Sequence, residues 1–159
     1  MKLVDTSTAT GKNTTQDTWF IPANDVAIGT ISLGEGGFGK VYAGQYGSNA
    51  VAIKSVSGLI THESLKMMHD EASIWKSLVH PNITLLYGIS EDAENNPVLV
   101  MEKLETSLYH RIYCDDEADL PTSQQKLKWL LQIAEAFKYM HSRDNPVVHA
   151  DLNPRNVLL

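Results

Sequence analysis

The sequence is poor in cysteine and in positive charge. Its 159 residues include one cysteine, Cys114, so an internal disulfide is excluded, and no cysteine–histidine cluster has the spacing of a zinc site. Lysine and arginine together number 13 against 19 aspartate and glutamate residues, which gives a formal net charge of −6. Because a protein that follows nucleic-acid phosphates needs a basic face, we do not expect a nucleic-acid partner.

Long apolar runs are also missing. No stretch approaches the roughly 18 apolar residues of a membrane span, and the first residues contain no apolar segment of signal-peptide length. We therefore expect a soluble, cytoplasmic protein. Residues 1–17 are polar and without periodicity, which predicts a disordered tail ahead of an ordered region at residues 18–159.

The ordered region shows strand patterns and then helix patterns. Short segments rich in Val, Ile and Tyr predict five strands, over 27–33, 39–46, 50–56, 84–89 and 98–101. Apolar residues at steps of three and four predict a helix between the third and fourth strands: Leu65, Met68, Ala72, Trp75 and Leu78. Two further helices are predicted over 107–113 and 122–142, the second with a capping box formed by Thr122 and Gln125.

This order of elements predicts the fold class. Five strands with one inserted helix, followed by helices, indicate an α+β fold with two lobes. We expect an N-terminal lobe over 18–104, part of a C-terminal lobe over 105–159, and a joint over 101–107.

A glycine-rich segment joins the first two strands. Residues 33–41 read Leu-Gly-Glu-Gly-Gly-Phe-Gly-Lys-Val and contain the pattern G-x-G-x-x-G-x-V. Glycines allow backbone N–H groups to approach phosphate oxygens closely. A dinucleotide-binding turn would need a helix after the last glycine, whereas residues 40–46 alternate like a strand. A phosphate-binding flap and a plain glycine hairpin both stay open.

Lys54 lies in the third strand, in the sequence Val-Ala-Ile-Lys. A single lysine in a strand is often a surface residue. After a glycine flap, however, its ammonium group can point at nucleotide phosphates if a carboxylate keeps it in place. Glu71 lies in the next helix at the margin of the apolar stripe, and Asp70 and Glu63 are alternatives on spacing alone.

A polar loop lies between two apolar pairs near residue 150. It contains Asp151 and, five residues later, Asn156. An aspartate can accept the proton of a hydroxyl group, and the amide oxygen of an asparagine can bind Mg²⁺. Both residue types are also common in loops without any chemical role.

Taken in order, the glycine flap, Val-Ala-Ile-Lys, the helix with Glu71 and His-x-Asp-x-x-x-x-Asn resemble the protein kinase family. The resemblance covers about residues 26–159. It implies the protein-kinase-like two-lobe fold, with a five-stranded antiparallel sheet in the first lobe. It also implies ATP and Mg²⁺ as cofactors and transfer of the ATP γ-phosphate to a protein hydroxyl, on serine or threonine rather than tyrosine. Residues 19–22 and the glycine loop are similar to the tyrosine-kinase-like group.

The resemblance also implies roles for individual residues. Asp151 would be the catalytic base, Asn156 a magnesium ligand, and Lys54, paired with Glu71, would hold the α- and β-phosphates. The residues implied to surround the nucleotide are Leu33, Gly34, Glu35, Gly36, Gly37, Phe38, Gly39, Val41, Ala52, Met101, Glu102, Lys103, Leu104 and Leu158. Of these, Met101 would be the gatekeeper and residues 102–104 the hinge. Trp75, Leu86 and His149 would belong to the hydrophobic spine between the lobes.

The sequence departs from the family pattern at three points. Ala150 stands where an arginine usually precedes the catalytic aspartate, so we do not expect activation through a phosphorylated activation loop. Asn153 stands where serine/threonine members usually have a lysine, and Arg155 either takes over its duty or is a surface residue. No Asp-Phe-Gly segment occurs in the sequence, so we expect an incomplete kinase domain. The alternatives are a truncated pseudokinase that binds a nucleotide or a partner without catalysis, and a fragment that does not fold independently.

Overall fold

The structure is a computed structural model that describes residues 19–36, 39–55, 61–114 and 119–159. The predicted tail at residues 1–17 lies outside these ranges. The described residues form a five-stranded antiparallel sheet in the order β1-β2-β3-β5-β4. The strands are β1 (Val26–Gly36), β2 (Gly39–Tyr46), β3 (Asn49–Ser55), β4 (Leu86–Glu91) and β5 (Pro97–Glu102). The described α-helices are α1 (His62–Lys76), α2 (Leu108–Tyr113) and α3 (Ser123–His141).

The predicted strands are all confirmed, and their ends show what pairing adds to the sequence pattern. β2 has the predicted ends, whereas β1 continues past Leu33 because its glycines pair with β2 as far as Gly36, opposite Gly39. The turn between β2 and β3 places Gly47 at a φ of +58°, a left-handed conformation that suits glycine. Asn49, which lies just before the predicted strand 50–56, already belongs to β3 and pairs with Tyr46.

The predicted helices are confirmed as well, except that α1 ends at Lys76, so Leu78 of the predicted apolar stripe lies beyond the helix. The capping box of α3 forms, because the Thr122 hydroxyl oxygen accepts from Gln125 N at 3.2 Å and Gln125 Oε1 accepts from Thr122 N at 2.8 Å. A second capping box, between Thr61 and Ser64, starts α1. Among the described residues, no helix has the length and apolar character that crossing a bilayer requires.

Two apolar clusters form on the two faces of the sheet. The helix-side cluster lies between the sheet and α1 and consists of Ala52, Met68, Ala72, Leu86, Ile89, Leu99 and Met101. The outer cluster lies on the opposite face and consists of Ile21, Val51, Ile53, Val98 and Val100. Burying one such Val, Ile or Leu side chain contributes roughly 1.5–3 kcal/mol. β3 and β5 supply both clusters by alternation, so these two central strands hold the sheet in one register.

Helix α3 is attached to the loop that follows α1. Asn82 of this loop donates from Nδ2 to Glu135 Oε2 at 2.9 Å and accepts from Gln132 Nε2 at 3.3 Å. The rings of His80 and Tyr139 stack with their centroids 5.0 Å apart. These contacts connect the first lobe to the helices that follow the joint. The first half of α3 presents apolar side chains to solvent, among them Leu127, Leu130 and Leu131.

The turn between β4 and β5 is organised by one carboxylate. Asp92 Oδ1 accepts hydrogen bonds from Asn96 N at 2.8 Å and Glu94 N at 3.0 Å, and Oδ2 accepts one from Asn96 Nδ2 at 3.1 Å. Burial by itself raises the pKa of Asp92, but the hydrogen bonds from Asn96 and Glu94 together outweigh burial. The pKa of this carboxyl therefore lies below its usual value.

Removing this carboxylate tests the turn. We expect Asp92→Ala to lower the free energy of unfolding by about 1–2 kcal/mol at neutral pH, because two backbone donors lose their acceptor. Since the folded pKa lies below the unfolded one, the contribution is complete above the unfolded value near 4 and is lost as the pH falls through the folded pKa. Urea unfolding of both proteins, from neutral pH down to about pH 3, measures the difference.

The matched control is Asp144→Ala, which removes an exposed carboxylate after α3. We expect it to change the free energy of unfolding by less than about 0.5 kcal/mol at each pH. If the effect of Asp92→Ala stayed constant to the lowest pH, the charge of Asp92 would not contribute to the turn.

Candidate functional site

The glycine-rich segment is a hairpin between two strands. Gly34 pairs with Val41, Glu35 with Lys40, and Gly36 with Gly39. No helix follows the last glycine, because β2 begins there, so the dinucleotide-binding alternative is excluded. The tip residues Gly37 and Phe38 lie outside the described residues.

Two glycines in this hairpin have different physical roles. Gly39 has a φ of +131°, which L side chains rarely adopt. Gly34 has no such backbone requirement, and a Cβ placed on it would meet no protein atom within 4 Å among the described residues. Packing against the described residues therefore does not explain Gly34. Space beside its backbone is what a phosphate-binding flap needs.

The side chains below the hairpin share one face of the sheet. Lys54 and Ala52 are two residues apart on β3, so both point to the helix side, where Ala52 belongs to the helix-side cluster. Val41 pairs with Lys54, and Met101 pairs with Ala52. Lys54 is half-buried, whereas Ala52 and Met101 are 7 % and 6 % exposed. Buried apolar side chains and a half-buried lysine thus share this face of the sheet.

The geometry of α1 distinguishes among the candidate carboxylates. Successive helical residues are rotated by about 100°, and the buried residues Met68 and Ala72 define the side that faces the sheet. Asp70 is rotated to the opposite side of the helix, whereas Glu71 borders the buried side, one turn after Met68. Glu63 lies in the first turn, also away from the buried side. Helix geometry therefore favours Glu71, an exposed residue, as the partner of Lys54, and the pairing itself stays a prediction.

A short stretch of main-chain pairing brings the loop near residue 150 to the joint between the lobes. Leu159 O accepts from Glu105 N at 3.0 Å, and Leu159 N donates to Thr106 O at 2.9 Å. Ser107 and Leu158 form an antiparallel bridge. The end of this loop thus runs beside the residues that follow the predicted hinge at 102–104. This explains how Leu158, distant in sequence, can lie next to the predicted adenine site.

Within the loop, two asparagines hold the carboxylate of Asp151. Asn153 Nδ2 donates to Asp151 Oδ1 at 3.0 Å, and Asn156 Nδ2 donates to Oδ2 at 2.8 Å. Asn156 Nδ2 also donates to Asp151 O at 2.9 Å. Since the amide nitrogen of Asn156 is turned to Asp151, its Oδ1 faces another way and can serve as a metal ligand. In the sequence, Asn153 was notable only because it stands where serine/threonine kinases usually have a lysine. Its contact with Asp151 was not predicted.

The donor set fits magnesium held jointly with a nucleotide. Among the described residues, no group of three or more His, Cys, Asp or Glu could hold a metal ion. Mg²⁺ is typically bound by one or two protein ligands together with phosphate oxygens and water. Asn156 is suited to such a partial site. The described residues are therefore compatible with Mg-ATP rather than with a metal site that these residues form alone.

Arg155 points to a neighbouring helix. Its guanidinium carbon lies 3.6 Å from the centroid of the Tyr109 ring in α2, a cation–π contact. Tyr109 N also donates to Pro154 O at 2.9 Å. This placement favours the surface role for Arg155 over the phosphate-steadying role that the sequence left open.

The predicted spine residues fall into two groups. Trp75 packs against the helix-side cluster, to which Leu86 belongs, and its Nε1 donates to Thr84 O at 2.7 Å. His149 lies by Phe137 of α3, with the ring centroids 6.4 Å apart. The structure thus brings Trp75 and Leu86 together and places His149 with the helices of the second lobe.

Comparison with known proteins identifies the family. The family model of protein tyrosine and serine/threonine kinases matches residues 29–159. The chain therefore belongs to this family, which confirms the resemblance and the two-lobe, protein-kinase-like fold predicted from the sequence.

The individual relatives are longer proteins. A serine/threonine-protein kinase-like protein of Arabidopsis thaliana is 33% identical over 131 residues, which cover 80% of this chain and 36% of the plant protein. U-box domain-containing protein 70 of Oryza sativa subsp. japonica is 33% identical over 135 residues, 82% of this chain and 16% of that protein. Aurora kinase of Debaryomyces hansenii is 29% identical over 140 residues, 86% and 32%. The chain spans about a third or less of these relatives.

The backbone at Ala150 provides a test of the loop. Ala150 has a φ of +60°, a left-handed conformation that an L side chain adopts at a cost of roughly 1–2 kcal/mol. Glycine adopts this conformation without that penalty but loses more entropy on folding. We expect Ala150→Gly to raise the free energy of unfolding by about 0.5 kcal/mol, measured by thermal or urea unfolding.

The matched control is Ala134→Gly, the same substitution at an exposed position inside α3. It should lower the free energy of unfolding by about 1 kcal/mol, because glycine is a poor helix former. If both variants destabilised the protein equally, Ala150 would not be strained in solution.

Proposed function

We propose that the chain is the nucleotide-binding part of a protein kinase, which binds Mg-ATP and transfers its γ-phosphate to a serine or threonine hydroxyl of a protein substrate. The observation that carries the proposal is the main-chain pairing of residues 105–108 with 157–159. Through this pairing, the loop with Asp151 and Asn156 runs beside the predicted hinge. Strand β5 leads into the hinge and pairs with β3, which carries Lys54. Family membership supports the same function.

Each part of the site has a physical task in this proposal. The N–H groups of the glycine hairpin and the ammonium of Lys54 would hold phosphate oxygens, and Glu71 would keep Lys54 in position. Ala52, Met101 and Leu158 would contact the apolar faces of adenine. Magnesium bound at Asn156 would neutralise charge on the phosphates.

Asp151 is suited to act on the acceptor hydroxyl. Its carboxylate is fixed by two amide groups, so it is held ready to accept the hydroxyl proton as the hydroxyl oxygen forms its bond to phosphorus. The bond from phosphorus to the ADP oxygen breaks in the same transfer. Such a reaction depends largely on positioning and on charge stabilisation. The protein would act in phosphorylation-based signalling in the cytoplasm.

A second function is a binding module without catalysis. Two residues favour it: Asn153 presents a neutral amide where serine/threonine kinases usually have a lysine, and Ala150 replaces an arginine. The Asn153 amide donates to Asp151 rather than supplying a positive charge for a transferred phosphate. In this alternative the chain binds a nucleotide or a partner protein but transfers no phosphate.

Nucleotide binding is the first test. We expect saturable binding of Mg-ATP in calorimetry, and a loss of at least about tenfold in affinity for Lys54→Met, since a charge-assisted contact contributes about 1.5–3 kcal/mol. Lys128→Met, which removes an exposed lysine of α3, is the matched control and should bind like the wild type. Equal affinities of the two variants would contradict the proposed site.

Phosphate transfer separates the two functions. The assay uses the natural protein that contains this segment, Mg-ATP labelled at the γ-phosphate, and protein substrates offering serine, threonine or tyrosine. Transfer to serine or threonine that disappears in Asp151→Asn supports the kinase. Saturable binding with no transfer supports the binding module.

A further inference from the structure

A segment ahead of β1 covers the outer edge of the sheet. Residues 19–21, called the edge segment here, run parallel to β4, with Phe20 bridged to Ile89. Ile21 N donates to Ile89 O at 2.7 Å, and Ile89 N donates to Trp19 O at 3.2 Å. An exposed strand edge leaves unpaired N–H and C=O groups, and the edge segment satisfies both groups of Ile89.

Side chains of the edge segment pack on both faces of the sheet. Trp19 packs against the helix-side cluster, whereas Ile21 is 4 % exposed and belongs to the outer cluster. Phe20, between them, is 53 % exposed. Trp19 packs on one face of the sheet and Ile21 on the other, so the edge segment is held on both faces. This fixes the position of Trp19.

Gly88 in β4 makes room for this arrangement. A Cβ on Gly88 would collide with Trp19 O and would lie 3.1 Å from Trp19 C. These are backbone atoms, so a side-chain rotation could not relieve the collision. Any larger residue at position 88 of β4 would therefore displace the edge segment, which is a separate part of the chain.

Trp19 also reaches the middle of α1. Its ring lies 5.1 Å from the ring of His69, centroid to centroid. The C-terminal end of α1 is attached separately, since Lys76 Nζ donates to Leu86 O at 3.0 Å and to Tyr87 O at 2.8 Å. Glu71 lies between these two attachment points.

We propose that Trp19 is a positioning residue that holds α1, and through it Glu71, against the sheet. Helix α1 is tied to β4 at its C-terminal end, and Met68 and Ala72 are buried against the sheet. Loss of the Trp19 contact would therefore loosen the middle of α1 without detaching the helix. Displacement of the edge segment would then weaken nucleotide binding through Glu71. This last step rests on the proposed nucleotide-binding function, whereas the effect on α1 does not.

Hydrogen exchange of the free protein tests the effect on α1. We expect the amides of residues 66–72 to exchange on the order of tenfold faster in Trp19→Ala, with β5 amides unchanged, because the helix opens locally more often. Phe20→Ala, which truncates the exposed neighbouring aromatic ring, is the matched control and should leave α1 exchange within about twofold of wild type. Equal exchange of α1 in the two variants would overturn the proposal.

Two further variants keep the test decisive if Trp19→Ala does not fold. Gly88→Ala substitutes no residue of the edge segment or of α1, but its Cβ should displace the edge segment. It should therefore reproduce the faster exchange of α1. Trp19→Phe keeps an aromatic ring and should restore slower exchange. A folded Gly88→Ala protein with wild-type exchange in α1 would refute the positioning role.

A double-mutant cycle with Mg-ATP tests the link to Glu71. Trp19→Ala should weaken binding on the order of fivefold in the wild-type background and less than about twofold in the Glu71→Ala background. Equal losses in both backgrounds would mean that Trp19 acts on binding without Glu71, against the proposal. If Lys54→Met also failed to affect binding, the proposed nucleotide site would be wrong, and the exchange experiment would still decide the role of Trp19 on α1.

Discussion

The candidate site depends on the pairing of two short segments that lie about fifty residues apart in the chain. Glu105 and Thr106 follow the predicted hinge, and their backbone groups bond to Leu159, while Ser107 bridges to Leu158. Without this pairing, the loop with Asp151 would be connected to the sheet only indirectly, through its contacts with α3. Closing such a long loop costs conformational entropy, which the main-chain bonds and the α3 contacts to the loop at residue 82 offset.

The sheet supplies the other half of the site through simple alternation. Because side chains on a strand point to opposite faces in turn, Val51 and Ile53 bury themselves in the outer cluster while Ala52 and Lys54 face α1. The same rule on β5 places Met101 beside Ala52. A one-residue slip of β3 would exchange its two faces, so that Lys54 would point to the outer cluster and Val51 and Ile53 would leave that cluster for the helix side. The register of β3 therefore determines both how the core packs and where the Lys54 side chain lies.

Much of this was predictable from the sequence, for physical reasons that are local. Alternation and helical periodicity predicted the strands and helices, and the Thr122–Gln125 spacing predicted a cap that forms as expected. The missed features depend on contacts between distant segments. The role of Gly88 becomes visible once Trp19 is seen against β4. The contact of Asn153 with Asp151 is a short-range turn interaction that the residue types allow but do not require.

The most direct test of the account is to map where Mg-ATP contacts the protein. Amide chemical shifts of the isotope-labelled chain would be followed as Mg-ATP is added. The account predicts that the largest changes occur at Gly34 and Gly36, around Lys54, in the hinge at 102–104 and in the loop at 149–156, with little change in the second half of α3. Changes that cluster elsewhere, or no saturable change at any amide, would contradict a nucleotide site between the sheet and this loop.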